Sequence, residues 1–216
     1  MKKSQTAIDR QQGKHQLDEQ RENILDAAET LFLRQGLENT TMIDIAAQAG
    51  ITKMTLYRYF PNREPIAFEV SVRMLETISA IATQTVDDEA TQLDAIKGFC
   101  LGMIREFSAL RGAYRYIGMF DHLYGDQYPS DELAAWYKKR IFELMDAWPF
   151  SRAALSEKGY VEVITLLNTI MSFLEKMAAR GELMTEEQEA PLQTQLEAFE
   201  EIILIYLESL GDRDDV

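Results

Sequence analysis

Apolar residues recur at intervals of three and four along most of the chain, as in the run Ile24, Ala27, Ala28, Leu31 and Phe32. This spacing places apolar side chains on one face of a helix, whereas a half-buried strand would alternate with a period of two. No sustained alternation of that kind occurs in the sequence. We therefore predict an all-α protein.

Turn and capping residues divide this pattern into about nine helices. Pro occurs only at positions 61, 65, 129, 149 and 191, each beside a break in the helical pattern, and Gly36 and Gly50 are suited to ending the first two helices. Asn62, Asp87 or Asp88, and Ser130 can cap later helices, and Thr185 with Gln188 forms a capping box. The predicted later helices are 63–83, 88–111, 114–120, 131–148, 151–180, which Gly159 could interrupt, and 186–210.

Charge is unevenly distributed. The chain has 22 basic and 36 acidic residues, a net charge of −14; residues 1–60 hold eight of each, so residues 61–216 hold 14 basic and 28 acidic groups. Residues 1–17 form a polar arm with four basic residues and one acidic residue, which could follow a phosphate backbone or keep a tail solvated. The acidic remainder permits a cationic lipophilic ligand, and surface solubility explains the same charge.

Composition also limits the chemistry. The single cysteine, Cys100, cannot form an internal disulfide, and neither it nor His122 has the spacing of a metal site. No apolar run approaches the roughly 20 residues of a membrane helix, and the start lacks the apolar stretch of a secretory signal. We expect a cytoplasmic protein that has no metal or other cofactor and no membrane partner.

Residues 42–59 have the layout of a helix-turn-helix. A short helix is followed by a tight turn at Ala49, Gly50 and Ile51 and by a second helix capped by Thr52. Where two helices cross closely, the first needs a small residue, here Ala46, and the turn needs a residue that tolerates positive φ. The second helix needs an apolar residue that points back, here Leu56. The same triplet would also fit a helical hairpin with no DNA role.

The surrounding residues favour DNA binding. The strings Thr40-Thr41-Met42-Ile43-Asp44-Ile45-Ala46, Ala49-Gly50-Ile51 and Thr55-Leu56-Tyr57-Arg58-Tyr59-Phe60 resemble the DNA-binding domain of the TetR family. The resemblance extends from about Arg21 to Asn62-Arg63-Glu64, about a fifth of the chain. It implies a homodimer that places one recognition helix per subunit in successive major grooves of double-stranded operator DNA.

The resemblance and the residue types together nominate DNA-contacting groups. Lys53, at the start of the recognition helix, would read a base edge or neutralise a phosphate; Thr40 and Thr41 would hold a phosphate or simply cap their helix. Arg63 replaces a family lysine that binds phosphate, and Met54 departs from the small residue common at its position. The full predicted set is Thr40, Thr41, Thr52, Lys53, Met54, Thr55, Tyr57, Arg58, Tyr59 and Arg63.

The acidic remainder is rich in methionine and aromatic residues, which suit either a packed core or a small-molecule site between helices. Gly98 and Gly102 share one face of a predicted helix and provide either close helix packing or room for a ligand. The predicted effector site is Phe99, Gly102, Met103, Phe107, Phe120, Tyr124, Trp136 and Phe173.

The last two long helices have apolar rows wider than one core needs, which predicts a homodimer interface. Asn168 is either a buried polar group that sets register or an exposed edge residue. The predicted interface residues are Ile164, Asn168, Met171, Phe199, Ile203 and Tyr206.

These patterns predict three regions: residues 1–17, a polar basic arm; 18–64, a three-helix helix-turn-helix domain; and 65–216, a helical bundle for effector binding and dimerisation. The predicted function is a ligand-responsive, sequence-specific transcription regulator. A repressor that a small molecule releases from its operator is the preferred form, and the sequence leaves an activator open. The alternative is a helical ligand-binding or interaction protein whose helix-turn-helix no longer binds DNA. An enzyme is not indicated, because the carboxylates lack a paired histidine or nucleophile.

Overall fold

A computed structural model describes residues 2–125, 127–180 and 186–211, with side chains from residue 15 to 125, 127 to 180 and 190 to 210. These ranges contain helices and no strand, which confirms the predicted fold class. Nine α-helices lie within them: α1 (Lys2–Gln35), α2 (Met42–Gln48), α3 (Lys53–Tyr59), α4 (Arg63–Thr83), α5 (Gln92–Arg105), α6 (Phe107–Tyr124), α7 (Asp131–Asp146), α8 (Glu157–Arg180) and α9 (Glu186–Gly211).

The chain forms two compact units, Met1–Ser71 and Val72–Val216. The boundary lies within α4, later than the predicted boundary after residue 64. Helix α1 begins at Lys2 and therefore also includes residues of the predicted polar arm.

Capping and turn residues shape the first unit as the sequence predicts. Thr41 caps α2 in a capping box with Asp44, and the Thr52 hydroxyl accepts a hydrogen bond from the backbone N–H of Thr55. Gly50, between α2 and α3, has φ of +67°. Because nothing lies within 4 Å of a Cβ built there, this backbone conformation, and not lack of space, favours glycine.

Large apolar side chains fill the core of the first unit. Phe32, Phe60 and Phe68 are almost completely buried. The Arg21 guanidinium forms a two-pronged ion pair with Glu69 and lies 4.7 Å from the centroid of the Phe60 ring. These contacts tie α1 to the end of α3 and to α4.

In the second unit α6 packs along α8, and α5 contacts α6, α8 and α9. The predicted helix 88–111 is wrong, because α5 ends at Arg105 and α6 starts at Phe107. Thr91, and not Asp87 or Asp88, caps α5; the Asp87 carboxylate instead accepts a hydrogen bond from the Glu89 N–H in the preceding turn. The short helix predicted at 114–120 is part of the longer α6.

The start of α8 also differs from the prediction. A 3-10 helix, Arg152–Ala154, comes first, and α8 begins at Glu157 and continues through Gly159. The predicted capping box of Thr185 and Gln188 lies outside the residues whose side chains are described. Across the described ranges, no helix has the length and apolarity needed to cross a membrane.

Candidate DNA-binding and effector sites

Helix α3 has one buried and one exposed side. Leu56 is fully buried and Phe60, just after the helix, is 1% exposed, whereas Met54 is 84% and Tyr57 44% exposed. Lys53 is also exposed. The side chains of Leu56 and Phe60 therefore anchor the helix, and Lys53, Met54 and Tyr57 are accessible to a partner.

Two basic residues of α3 lie against tyrosine rings. The Nζ of Lys53 is 5.8 Å from the centroid of the Tyr57 ring, and the Arg58 guanidinium is 5.8 Å from that of Tyr59. Such contacts contribute about 0.5–1 kcal/mol at exposed sites. They restrict where the long basic side chains point, and both cations stay on the exposed part of the helix.

The helix before the turn also has an exposed apolar residue. Ile43 of α2 is 60% exposed, although an isolated apolar residue would gain from burial. Met54, the residue after Lys53 on α3, supplies exposed apolar surface of its own. Thr55 is half-buried, and its hydroxyl lies 2.9 Å from that of Thr52, so these two threonines stabilise the start of α3.

The two predicted threonines before α2 have different roles. Thr41 is exposed and caps α2, so it remains at the surface. Thr40 requires a correction: it is fully buried, and its hydroxyl donates a 2.8 Å hydrogen bond to the carbonyl oxygen of Gly36. Its hydroxyl therefore holds the loop after α1 and does not face outward.

Arg63 also differs from the expected phosphate contact. Its Nη1 donates hydrogen bonds to the carbonyl oxygens of Leu37, Glu38 and Thr40, at 2.8, 3.1 and 3.1 Å. The guanidinium is thus used to hold the loop between α1 and α2, directly before the Thr41 cap. The sequence pattern assigned Arg63 to phosphate and could not reveal these backbone acceptors, which lie 23 to 26 residues away.

The second unit contains a cavity of about 380 Å³ between α4, α5, α6, α7 and α8. This size lies within the usual range for small-molecule sites. Most of the lining is apolar or aromatic, and the polar residues include Asp121, Lys138 and Glu175. Helix α7 contributes several lining residues and has no buried residue of its own.

Two of the eight predicted effector residues, Phe99 and Met103, line this cavity. Gly102 does not: a Cβ there would overlap the Thr85 hydroxyl and lie 2.9 Å from the Ala82 carbonyl oxygen. A Cβ on Gly98 would lie 3.1 Å from Val86. Both glycines therefore serve close packing, which resolves the alternative left open by the sequence.

The other predicted effector residues are also corrected. Phe107 stacks on Tyr114, Phe120 packs between other aromatic rings, and Phe173 stacks on Phe199 of α9 at 3.8 Å between ring centroids. Neither Tyr124 nor Trp136 lines the cavity. An aromatic residue at helical spacing serves packing equally well, so the pattern could not separate the two uses.

The sequence did not reveal the two cavity carboxylates, Asp121 on α6 and Glu175 on α8. Burial raises the pKa of Asp121, and it raises the pKa of Glu175 to about 7, with the Asp121 charge adding to the shift and Lys176 opposing it. The only sequence signal was Gly118, one turn before Asp121: a Cβ there would lie 3.4 Å from the Cβ of Glu175.

The residues predicted for the dimer interface differ in how exposed they are. Ile203 is 4% exposed and belongs to the core of its own unit, whereas Ile202 and Ile205 are 63% and 67% exposed. Asn168 is exposed, so it is an edge residue and not a buried polar group. Ile164 and Met171 are half-buried and line the cavity, and Phe199 and Tyr206 are half-buried on α9.

Comparisons with known proteins agree with this arrangement. The model of the bacterial regulatory proteins of the tetR family matches residues 24–70. The transcriptional repressor KstR2 of Mycobacterium tuberculosis is 33% identical over 83 residues, 38% of this chain and 42% of that protein. The regulator TtgR of Pseudomonas putida is 30% identical over 94 residues, 43% of this chain and 45% of that protein.

The chain therefore spans less than half the length of these curated relatives. A putative transcriptional regulator from Rhodococcus sp. RHA1, known as a crystal structure, is 17% identical but covers 88% of this chain and 95% of its own, with a TM-score of 0.62. That likeness concerns the fold, and it extends beyond the helix-turn-helix. Residues 24–70 therefore match the TetR family of bacterial regulatory proteins, in agreement with the named regulators and with the geometry of α2 and α3.

Proposed function

We propose that this protein is a sequence-specific transcription regulator that binds operator DNA through α3 and is released by a small molecule. Its family is one of DNA-binding regulators, not enzymes. The observation that carries the proposal is the two-sided character of α3: buried Leu56 and Phe60 anchor the helix, and Lys53, Met54 and Tyr57 remain exposed. A short helix held in this way can enter a major groove and present its first residues to base edges.

In this proposal, Lys53 donates to a base edge and Met54 provides apolar contact to a thymine methyl group. Thr41, Thr52, Thr55, Tyr57, Arg58 and Tyr59 contact or position the phosphate backbone. Arg63 acts indirectly, since its bonds to the loop before α2 hold the Thr41 cap in place.

DNA binding is tested with the purified chain and the DNA upstream of its own gene. We expect salt-dependent binding to one or a few sites and much weaker binding to unrelated DNA of the same length. Equal affinity for both DNAs would contradict sequence-specific regulation. No binding to either would favour the alternative, a helical ligand-binding protein.

A homodimer would supply the second recognition helix. Its proposed interface is the exposed side of α8 and α9, where Ile202 and Ile205, with half-buried Phe199 and Tyr206, form an apolar row. Exposed apolar rows of this kind favour association with a second copy because apolar area is removed from water.

Sedimentation of an Ile202→Asp/Ile205→Asp variant tests this interface. We expect monomers that keep their helical content and bind a palindromic operator much more weakly. Gln193→Asp on the same helix is the matched control, because it adds a charge at another exposed position. Dimers that persist in the double variant would contradict the interface. Ile203→Asp is unsuitable, since it would bury a charge in the core of the unit.

The cavity of the second unit is the proposed effector site, and release of DNA would follow from different ligand affinity in two states of the protein. Ile141 of α7 is half-buried and lines the cavity. Ile141→Trp should fill the cavity and abolish release of DNA by the effector while DNA binding persists. Ala135→Trp, an exposed position on the same helix, is the control, and an unchanged response in Ile141→Trp would place the effector elsewhere.

A further inference from the structure

The cavity that α7 borders in the second unit, the α7 cavity, is less tightly packed than a protein core. Helix α7 has no buried residue, and Phe142, which lines the cavity, is 60% exposed. The lining also includes Leu144 and Met145 from the same helix. An apolar molecule in this space would remove these side chains from water, at roughly 25 cal/mol per Å² of apolar area.

Two carboxylates project into this apolar space. Glu175 of α8 lies over Gly118 of α6, where a built Cβ would be 3.9 Å from its Oε2, and Asp121 is one helical turn further along α6. Both residues line the cavity. In the part of the chain that the structure describes, neither carboxylate has a salt bridge to a basic side chain.

The charges around the two carboxylates leave the cavity wall negative. Lys138 of α7 lines the same cavity, and Lys176 acts on Glu175 from its own helix, outside the lining. The remaining lining residues of α4 and α5, such as Ile78, Ser79 and Phe99, carry no charge. Above the pKa of about 7 of Glu175, two carboxylates against one ammonium group in the lining repel an anion and attract a cation.

Aromatic rings complete the lining. The centroids of Phe99 and Trp148 are 5.5 Å apart, and those of Tyr128 and Tyr137 are 6.1 Å apart. All four residues line the cavity. The faces of such rings attract organic cations, and an aromatic wall suits a ligand with rings of its own.

We propose that the α7 cavity selects hydrophobic organic cations, with the aromatic rings and apolar residues holding the body of the ligand and the Asp121 and Glu175 carboxylates its positive charge. This inference deepens the proposed function, on which it rests, by naming the class of effector. A cation between the two acids offsets their mutual repulsion and the cost of their partial burial, which a neutral or anionic ligand of equal size cannot do.

The test uses tetraphenylphosphonium and tetraphenylborate, probes of similar shape and opposite charge, titrated into the full chain by calorimetry. We expect saturable binding of the cation, at least about tenfold tighter than the anion, a difference of about 1.4 kcal/mol. Quenching of Trp148 fluorescence in a Trp136→Phe background locates the binding, because Trp148 lines the cavity and Trp136 does not.

Amide substitutions separate charge from shape. Asp121→Asn/Glu175→Gln should weaken cation binding at least about tenfold and reduce the preference over the anion, while Lys138→Gln should strengthen it. Glu157→Gln, an exposed acid at the start of α8, is the matched control and should leave both affinities unchanged. Unchanged cation binding in the double variant, or anion binding as tight as cation binding in the natural sequence, would overturn the inference.

DNA binding is measured separately on the same preparations. If the cation binds through the two carboxylates but the protein does not bind DNA, the site stands and the proposed regulatory function fails. If DNA binding and its release by a neutral compound persist while the cation does not bind, the function stands and the inference fails.

Discussion

The two units of the chain differ in how completely their interiors are filled. In Met1–Ser71, Phe32, Phe60 and Phe68 are almost entirely buried around α3. In Val72–Val216, a helix of 16 residues, α7, contains no buried residue and borders a cavity of about 380 Å³. In the proposed function, the unit that reads DNA gains from rigid presentation of a few side chains, whereas the unit that binds an effector needs volume that a ligand can complete.

The polar groups follow the same division. In the first unit Thr41, Thr52 and Arg63 bond to the backbone and stabilise the helices or loops around the recognition helix. In the second unit Asp121 and Glu175 face an apolar cavity, where burial raises the pKa of each. The polar groups of the first unit thus have hydrogen-bond partners within the chain, whereas the two carboxylates of the second unit are placed to contact a ligand in the cavity.

The contrast in packing predicts unequal costs for truncated side chains. Leu56→Ala should destabilise the first unit by about 2–5 kcal/mol, because Leu56 is fully buried and its removal leaves a cavity. Phe142→Ala on α7 should cost far less, since Phe142 is 60% exposed. Urea unfolding followed by helical content measures both. Comparable costs would show that α7 is as well packed as α3.

Arg63 tests whether polar groups in the first unit act within the chain or on DNA. Arg63→Ala should lower stability by about 1.5–3 kcal/mol, as expected for lost hydrogen bonds from a charged donor. The dependence of DNA affinity on salt should be nearly unchanged. A salt slope smaller by about one would instead identify a phosphate contact, and Arg63→Lys, which keeps the charge but not the fork, distinguishes the two roles.

Lys53 tests the exposed side of α3. Lys53→Ala should lower operator affinity by about 1–3 kcal/mol and relax the preference at one base position, if its ammonium donates to a base edge. Binding to a set of operators with single base changes gives the measurement. An equal loss on every sequence would make Lys53 a phosphate contact, and unchanged affinity would remove it from the interface.

The carboxylate of Glu175 should make the stability of the second unit depend on pH, because this group lies in the unfilled cavity. Its folded-state pKa of about 7 lies above the ordinary 4.5, so the unfolded chain loses this proton at lower pH. The residue therefore costs stability as pH rises from about 4.5 to 7, and the cost is complete above that range.

Glu175→Gln should accordingly raise stability by about 1 kcal/mol near pH 8 and have little effect near pH 4, a modest figure because water reaches the open cavity. The Asp121 charge of α6 increases this difference, and the Lys176 charge reduces it. Urea unfolding at both pH values, with Glu157→Gln as control, measures it. A Glu175→Gln variant that is less stable near pH 8 would show that the carboxylate has a stabilising partner.

The prediction of the fold succeeded where signals are local. Thr41 and Thr52 cap their helices and Gly50 has positive φ as expected, because each signal acts within a few residues. The start of α5 was misplaced, since Thr91, and not Asp87 or Asp88, caps this helix. Several acceptable capping residues lay within five positions, and packing selected one of them.

The sequence alone determined the all-helical class, the helix-turn-helix and the inward-pointing Leu56 of α3, because helical period, caps and turn residues act at short range. The tertiary structure decided the rest. It turned Arg63 and Thr40 onto the loop after α1, used Gly102 for packing, and placed Ile203 in the core. It also brought Asp121 and Glu175 together across α6 and α8, since residues distant along the chain become neighbours only when the helices pack.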